Sequence, residues 1–253
     1  MKKYLIDLDG TLYSGEKPLP FAAEWIDRLN RQGREYLLCT NCSMHSPKTL
    51  VSRLSKMGIY TTPDHILTSG MAILSILPKG GRIALLGSRA YRNWLEENGF
   101  VISNQASIAV VGFDPEAHYN DIKEICNIIR EGATYILTNE DNVIPDGDNL
   151  IPHTGAFGAA ITCATGATPI VLGKPHRPMM QAALDILDCQ EKDCIVFGDR
   201  LDTDIQFASN HGVESCLLLT GISSSASPQN AFCKPTKTFK NLYEVMKWED
   251  QEG

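Results

Sequence analysis

Asp7 and Asp9, in the stretch YLIDLDGTLYSG at residues 4–15, stand two residues apart where a short apolar run gives way to glycine. On a strand, positions i and i+2 face the same side, so the two carboxylates are expected as neighbours. Like charges that close repel unless a cation or a proton intervenes. Polar or charged residues follow three other apolar runs. Thr40-Asn41 comes after YLLC (36–39), Gly173-Lys174-Pro175 after IVL (170–172), and Gly198-Asp199 after CIVF (194–197). Acidic residues converging from two strands make an oxygen-ligand site for a hard cation. Mg²⁺ suits it, because that ion binds through one or two carboxylates, keeps several waters and takes phosphate oxygens. Lys174 would add a compact positive charge for a phosphoryl oxygen. Thr40 and the backbone N–H groups around Asn41 and Cys42 could hydrogen-bond the same group. A carboxylate with metal and lysine beside it can attack phosphorus to form an aspartyl phosphate. A second carboxylate two residues on can protonate the leaving oxygen and then deprotonate the attacking water.

The elements that would position these residues alternate along the chain. Short apolar runs such as YLI (4–6), IALL (83–86), IAVV (108–111), YIL (135–137) and CLLL (216–219) read as strands. Between them lie segments with helical spacing: Trp25, Ile26 and Leu29 before Gly33; Leu50, Val51, Leu54 and Met57 before Gly58; Ile122, Ile125 and Ile129 before Gly132; Ala183, Leu184 and Leu187. Strand and helix in this alternation predict an α/β fold with mostly parallel pairing. In such sheets ligands bind beyond the carboxyl ends of the strands, which is where the singled-out residues fall. Two Gly/Pro-rich joints, LPKGGR at 77–82 and CATGATP at 163–169, divide the chain. They predict a Rossmann-like core from residues 1–78 and 170–253, with a smaller α/β domain inserted at 79–169.

Composition narrows the function classes. A chain of 253 residues with 43% hydrophobic residues can bury a full core. Its formal charge of −7, with no Lys/Arg run, argues against a nucleic-acid partner. The apolar run at the N-terminus is broken by Asp7, unlike a signal peptide, and no stretch has the roughly 18 apolar residues of a membrane span. Eight cysteines without an export signal suggest free thiols in a cytoplasmic protein. Cys39 and Cys42 have CxxC spacing. Their only loose companions, Cys189 and Cys194, have the wrong spacing for a zinc ribbon, so the expectation is a buried Cys39 and an incidental Cys42.

Taken together, DxDGT at 7–11, the strand ending in Thr40-Asn41, the lysine of GKP at 173–175, and Gly198-Asp199 followed by Asp204 resemble the four motifs of the haloacid dehalogenase-like (HAD) superfamily, in order and spacing. TNED at 138–141, IPHTGA at 151–156 and FGDRLDTDI at 197–205 extend the likeness to its NagD-like branch with a C2-type α/β cap, which includes p-nitrophenyl and pyridoxal phosphate phosphatases. The resemblance implies a Mg²⁺-dependent phosphatase for small phosphomonoesters such as nucleotides, sugar phosphates or pyridoxal phosphate. Asp7 would be nucleophile and metal ligand, and Asp9 acid/base and ligand through its carbonyl. Asp199 would be the remaining ligand, with Asp204 supporting the site, and Thr40, Asn41 and Lys174 would bind the phosphoryl group. Cys42 stands where many relatives have Asn, which matters only if that position works through its side chain. The cap would select the leaving group through residues within 138–158, and its exposed face would suit a homodimer.

Blander readings stand beside these. Asp199 to Gln206 could be a helix start, with Thr203 and Gln206 at capping-box spacing, and Asp202 reads as solvated. Thr40-Asn41 could be a plain turn, Lys174 a surface lysine, and His153 and His176 structural. A phosphotransferase or mutase could use the same aspartyl phosphate. A non-catalytic phosphoryl-binding module would lack a use for Asp9.

Overall fold

The computed structural model describes residues 1–146, 149–221 and 233–252. The chain forms two compact units, one of residues 1–40, 47–67 and 174–253 and the other of 41–46 and 68–173. The first is built on a six-stranded sheet in the order Lys237–Phe239, Glu214–Leu218, Cys194–Gly198, Lys3–Ile6, Tyr36–Thr40, Ile66–Thr68. The pairings on either side of Lys3–Ile6, and those outward through Glu214–Leu218 to Lys237–Phe239, are parallel. Tyr36–Thr40 and Cys194–Gly198 are buried at every position, the pattern of strands covered on both faces.

Helices cover that sheet where the apolar spacing places them. Ala22–Arg31 buries Ala22, Trp25, Ile26 and Leu29; Pro47–Lys56 buries Leu50 and Leu54; Arg177–Leu187 buries its apolar stripe from Met179 to Leu187. Gly33 and Gly58, just past two of these helices, have positive φ, the conformation a helix stop requires. The core centres on aromatics: Phe197 lies 4.8 Å from Tyr4 and 5.1 Å from Trp25 between ring centroids. The Trp25 indole donates to Glu249 Oε1 on the C-terminal helix Leu242–Glu252.

The second unit has its own parallel sheet in the order Ile170–Val171, Thr134–Leu137, Ile108–Val111, Arg82–Leu86, Val101–Ile102. Helices Tyr119–Arg130 and Thr154–Thr165 contribute Ile125, Cys126, Ile129 and Ile161 to a separate core with Ala109, Val111 and Leu137. An antiparallel hairpin, Val143–Asp146 with Asn149–Pro152, precedes the second of these helices.

The dividing points differ from those the Gly/Pro joints suggest. Ile170–Val171 pairs with Ile136–Leu137 and so belongs to the inserted unit, moving the boundary from 169 to Gly173. The sheet of the first unit ends at Thr68, and the chain leaves that unit there rather than at 78. The joints are turns beside elements of the inserted unit. CATGATP stops the Thr154–Thr165 helix, with Gly166 at φ 72°, and LPKGGR leads into Arg82–Leu86. Residues 41–46, central to the sequence of the first unit, pack with the second. No helix among the described residues is long and apolar enough to cross a membrane.

Replacing Trp25 with alanine removes a fully buried ring from the aromatic centre and the indole donor to Glu249. The expected loss is about 3–5 kcal/mol, read as a lower urea midpoint. A loss below about 1 kcal/mol would show that this cluster does not anchor the core.

Candidate active site

The strand Lys3–Ile6 stops just before Asp7 and turns at once, because the N–H groups of Thr11, Leu12 and Tyr13 converge on the Leu8 carbonyl at 3.3, 2.8 and 3.3 Å. Leu8 is fully buried, while Asp7 is half-buried and Asp9 exposed. Leu8 thus turns inward between two less buried aspartates, the alternation that the i, i+2 spacing expects, and other carboxylates join Asp7. Those that gather with Asp7 are Asp199 and Asp204, each offering an oxygen within 4.8 Å of the others. The parallel pairing of Lys3–Ile6 with Cys194–Gly198 accounts for this, since it sets Ile6 beside Phe197 and so Asp7 near the end of the strand that leads to Asp199.

Lys174 holds the cluster. Its Nζ donates to Asp7 Oδ1 at 2.6 Å, Asp204 Oδ1 at 2.7 Å and the Cys39 carbonyl at 3.0 Å, matching the three protons of an ammonium. The side chain is only 4% exposed, against 13% for Asp7 and 1% for Asp204. Its two carboxylate partners hold the lysine charged and push its pKa upward, outweighing the cost of burial. Asp7 is pushed well above the usual carboxylate range. Burial is the main cause; Lys174 opposes it, while the negative charges of Asp204 and Asp199 reinforce it.

The turn after Asp199 supplies Asp204. A π-helical turn at Leu201–Ile205 continues into the helix Gln206–Asn210. Within it, Asp204 Oδ2 accepts the Arg200 N–H at 3.1 Å. The helix-start reading of this segment therefore holds for its backbone, and Asp204 does both jobs: one oxygen accepts the Arg200 N–H at the start of the turn while the other faces Lys174. Asp202 lies on the surface and pairs with Arg200. Gly10, at φ 88°, lets the 7–11 turn press on Asp199: a Cβ there would lie 2.5 Å from its carboxyl carbon.

Asp9 faces a cation the motif did not reveal. Arg53 stands over the Tyr13 ring, 4.9 Å from its centroid, and donates to the Gly15 carbonyl. Desolvation pushes the Asp9 carboxyl upward, while Arg53 and the N–H groups of Gly15 and Gly10 oppose that shift. The helical spacing of Leu50, Val51 and Leu54 was a signal only for the buried face of Pro47–Lys56; Arg53 lies off that face.

Thr40 ends the Tyr36–Thr40 strand and is buried. Asn41 and Cys42, half-buried, belong to the inserted unit. Burial pushes the Cys39 thiol up to about 12, an inert protonated state at neutral pH, and the described cysteines are all free. Within 138–158, Asn139, His153 and Thr154 are buried, whereas Glu140, Val143 and Leu150 are exposed. Residues 147 and 148 lie outside the described residues. His153 packs 4.5 Å from the Phe113 ring, its pKa pushed down by burial, and His176 stands at the N-terminus of Arg177–Leu187.

The fold and site define a haloacid dehalogenase-like hydrolase. The family model described by that name matches residues 4–101, and a second HAD-hydrolase-like model matches 171–245. The chain is 34% identical over 251 residues to an acid sugar phosphatase of Staphylococcus saprophyticus, covering 97% of each chain. Among solved structures, a 4-nitrophenylphosphatase from Thermotoga maritima superposes with a TM-score of 0.90 at 30% identity, covering 98% of this chain and 97% of that one. NagD from E. coli K-12 gives 0.90 at 26% identity, covering 96% and 98%. The chain belongs to the NagD-like branch of this family and is a phosphoric monoester hydrolase.

Replacing Lys174 with alanine would leave two buried carboxylates without their shared ammonium. Removing one side of such a group costs about 3–5 kcal/mol. Asp7, whose folded pKa lies above its unfolded one, stabilises at low pH and loses that contribution as pH rises. The loss in Lys174→Ala should therefore be larger at pH 8 than at pH 5 in urea unfolding. A loss independent of pH would contradict this account of the lysine.

Proposed function

We propose that the chain is a Mg²⁺-dependent phosphatase of small phosphomonoesters, with Asp7 as the nucleophile. The observation that carries this reading is the Lys174 ammonium held between Asp7 and Asp204 beside Asp199. Three carboxylates against one ammonium leave two uncompensated negative charges when all are ionised, which fits a divalent cation. An all-oxygen donor set suits Mg²⁺ among such cations. Asp7 and Asp199, with the Asp9 carbonyl, would hold the ion, which when bound supplies charge neutralisation at the phosphoryl oxygens.

The chain's own residues account for the rest. Lys174 would keep Asp7 oriented and offset charge on the transferring group. Thr40 and the N–H groups of Asn41 and Cys42 would hold the phosphoryl oxygens. A carboxylate oxygen of Asp7 attacks phosphorus as the ester P–O bond breaks, and Asp9 gives its proton to the departing alkoxide. Asp9 then takes a proton from water, which attacks the aspartyl phosphate, releasing orthophosphate and restoring Asp7. The upward push on Asp9 suits a group that must first carry that proton.

Substrate choice is assigned to the inserted unit, acting as the cap. With Asn139, His153 and Thr154 committed to its interior, its exposed residues Glu140, Val143 and Leu150 are the candidates to meet the leaving group. The acid sugar phosphatase relatives make sugar phosphates the first class to test, ahead of nucleotides and pyridoxal phosphate.

Orthophosphate release from such a panel should require Mg²⁺, stop with EDTA, and fall by about four orders of magnitude or more in Asp7→Asn. Wild-type-like turnover in that variant would remove Asp7 as the nucleophile. Phosphate passed to added alcohols in place of release would indicate a transferase.

A second outcome follows from the upward push on Asp7. Without the cation, its stabilising contribution is present at low pH and lost as pH rises; the cation replaces the proton, so its effect grows with pH. Mg²⁺ should raise Tm, relative to EDTA, more at pH 8 than at pH 5.5. Equal shifts would argue against these carboxylates as its ligands.

A further inference from the structure

The Asn41 carbonyl receives two hydrogen bonds from within the inserted unit. Ser69 Oγ donates to it at 2.7 Å and Asn139 Nδ2 at 2.8 Å, enough to occupy both lone pairs of a carbonyl oxygen. Both donors are fully buried. Ser69 follows the Ile66–Thr68 strand, and Asn139 stands two residues beyond Thr134–Leu137, so the carbonyl is fixed from two separate elements.

Asn139 is itself held in one orientation. Its Nδ2 also donates to Thr154 Oγ1 at 3.1 Å, and its Oδ1 accepts the Asp141 N–H at 3.1 Å. With the amide oxygen committed to an N–H donor, the amide nitrogen must face Asn41. The Asn41 side chain is confined as well, since a Cβ on Gly173 would lie 2.5 Å from its Oδ1. Two further bonds tie the same segment down: Thr138 Oγ1 to Ser43 Oγ at 3.0 Å, and Ser88 Oγ to the Met44 carbonyl at 2.9 Å.

The consequence lies in the covalent geometry of the chain. The Asn41 C=O and the Cys42 N–H belong to one planar peptide unit, trans in this structure, so the two bonds point in opposite directions. Pinning the carbonyl toward Ser69 and Asn139 therefore aims the Cys42 N–H away from them, along a direction that the Cys42 side chain does not influence. We infer that Ser69 and Asn139 are positioning residues that fix the Cys42 N–H as a phosphoryl donor. The inference rests on the phosphoryl-binding reading of Asn41 and Cys42, and it explains how cysteine is tolerated at that position: the contact is made by backbone.

The test uses the full chain loaded with Mg²⁺ and orthophosphate as the probe. Ser69→Ala and Asn139→Ala should each weaken inhibition by orthophosphate and raise KM about tenfold, the worth of one lost orienting hydrogen bond, with a smaller effect on kcat. In ¹⁵N-cysteine-labelled wild type, orthophosphate should shift the Cys42 amide resonance, assigned by its loss in Cys42→Ser. Both variants should reduce that shift. Variants that lower Tm while leaving the orthophosphate constant and KM unchanged would reduce the two residues to a folding role and overturn the inference. If neither variant folds, the wild-type spectrum decides: a Cys42 amide unmoved at inhibiting orthophosphate also overturns it. In both cases hydrolysis by the wild type leaves the phosphatase reading intact. A wild type that hydrolyses no phosphomonoester and does not bind orthophosphate would overturn that reading and this inference with it.

Discussion

The buried ammonium of Lys174 between Asp7 and Asp204 is the constraint around which the first unit is organised. Two carboxylates and a lysine removed from water each lose hydration, and their mutual attraction repays that only when every proton and lone pair is well placed. Here the ammonium has three close acceptors, two charged and one the Cys39 carbonyl. Such an arrangement is a poor way to gain stability, because well-packed apolar residues would serve as well or better. Its value is that it fixes a charged lysine and a carboxylate at one place at the carboxyl end of the sheet's central strands.

That place is determined by topology. Lys3–Ile6 lies between Tyr36–Thr40 and Cys194–Gly198, and it is parallel to both. All three strands therefore deliver their following residues to the same end, where the hydrogen-bonding groups of the chain are no longer used by the sheet. Asp7, Thr40 and Asp199 are there because of strand order, whereas Asp204 is there because of the turn that follows. The wide π-helical turn and the Asp204 bond to the Arg200 N–H place its carboxylate back against Lys174. Residues far apart in the chain are thus brought to one locus by backbone pairing, and the lysine completes their electrostatics.

Much of this could be read from residue order, because it depends on local signals. Helical spacing marked the Ala22–Arg31, Pro47–Lys56, Tyr119–Arg130 and Arg177–Leu187 helices, and polar residues following apolar runs marked the strand ends. Three features were hidden for physical reasons. Ile170–Val171 is only two residues long, and nothing in its composition says which sheet it joins; only its pairing with Ile136–Leu137 does. Arg53, the cation that acts on Asp9, lies off the buried face of Pro47–Lys56, so the helical spacing gives no sign of it. The bond from Asn139 to the Asn41 carbonyl spans 98 positions, and it involves a backbone acceptor that every residue possesses, so no side-chain pattern announces it.

The chain crosses between the two units four times, at Thr40–Asn41, Ser46–Pro47, Leu67–Thr68 and Gly173–Lys174. The first and the last crossing fall inside motifs that the family resemblance assigns to the phosphoryl group. Lys174 is held by Asp7 and Asp204, while Gly173, whose N–H is bonded to the Thr138 carbonyl, continues the pairing of Ile170–Val171. Thr40 completes its strand, while Asn41 is pinned by Ser69 and Asn139.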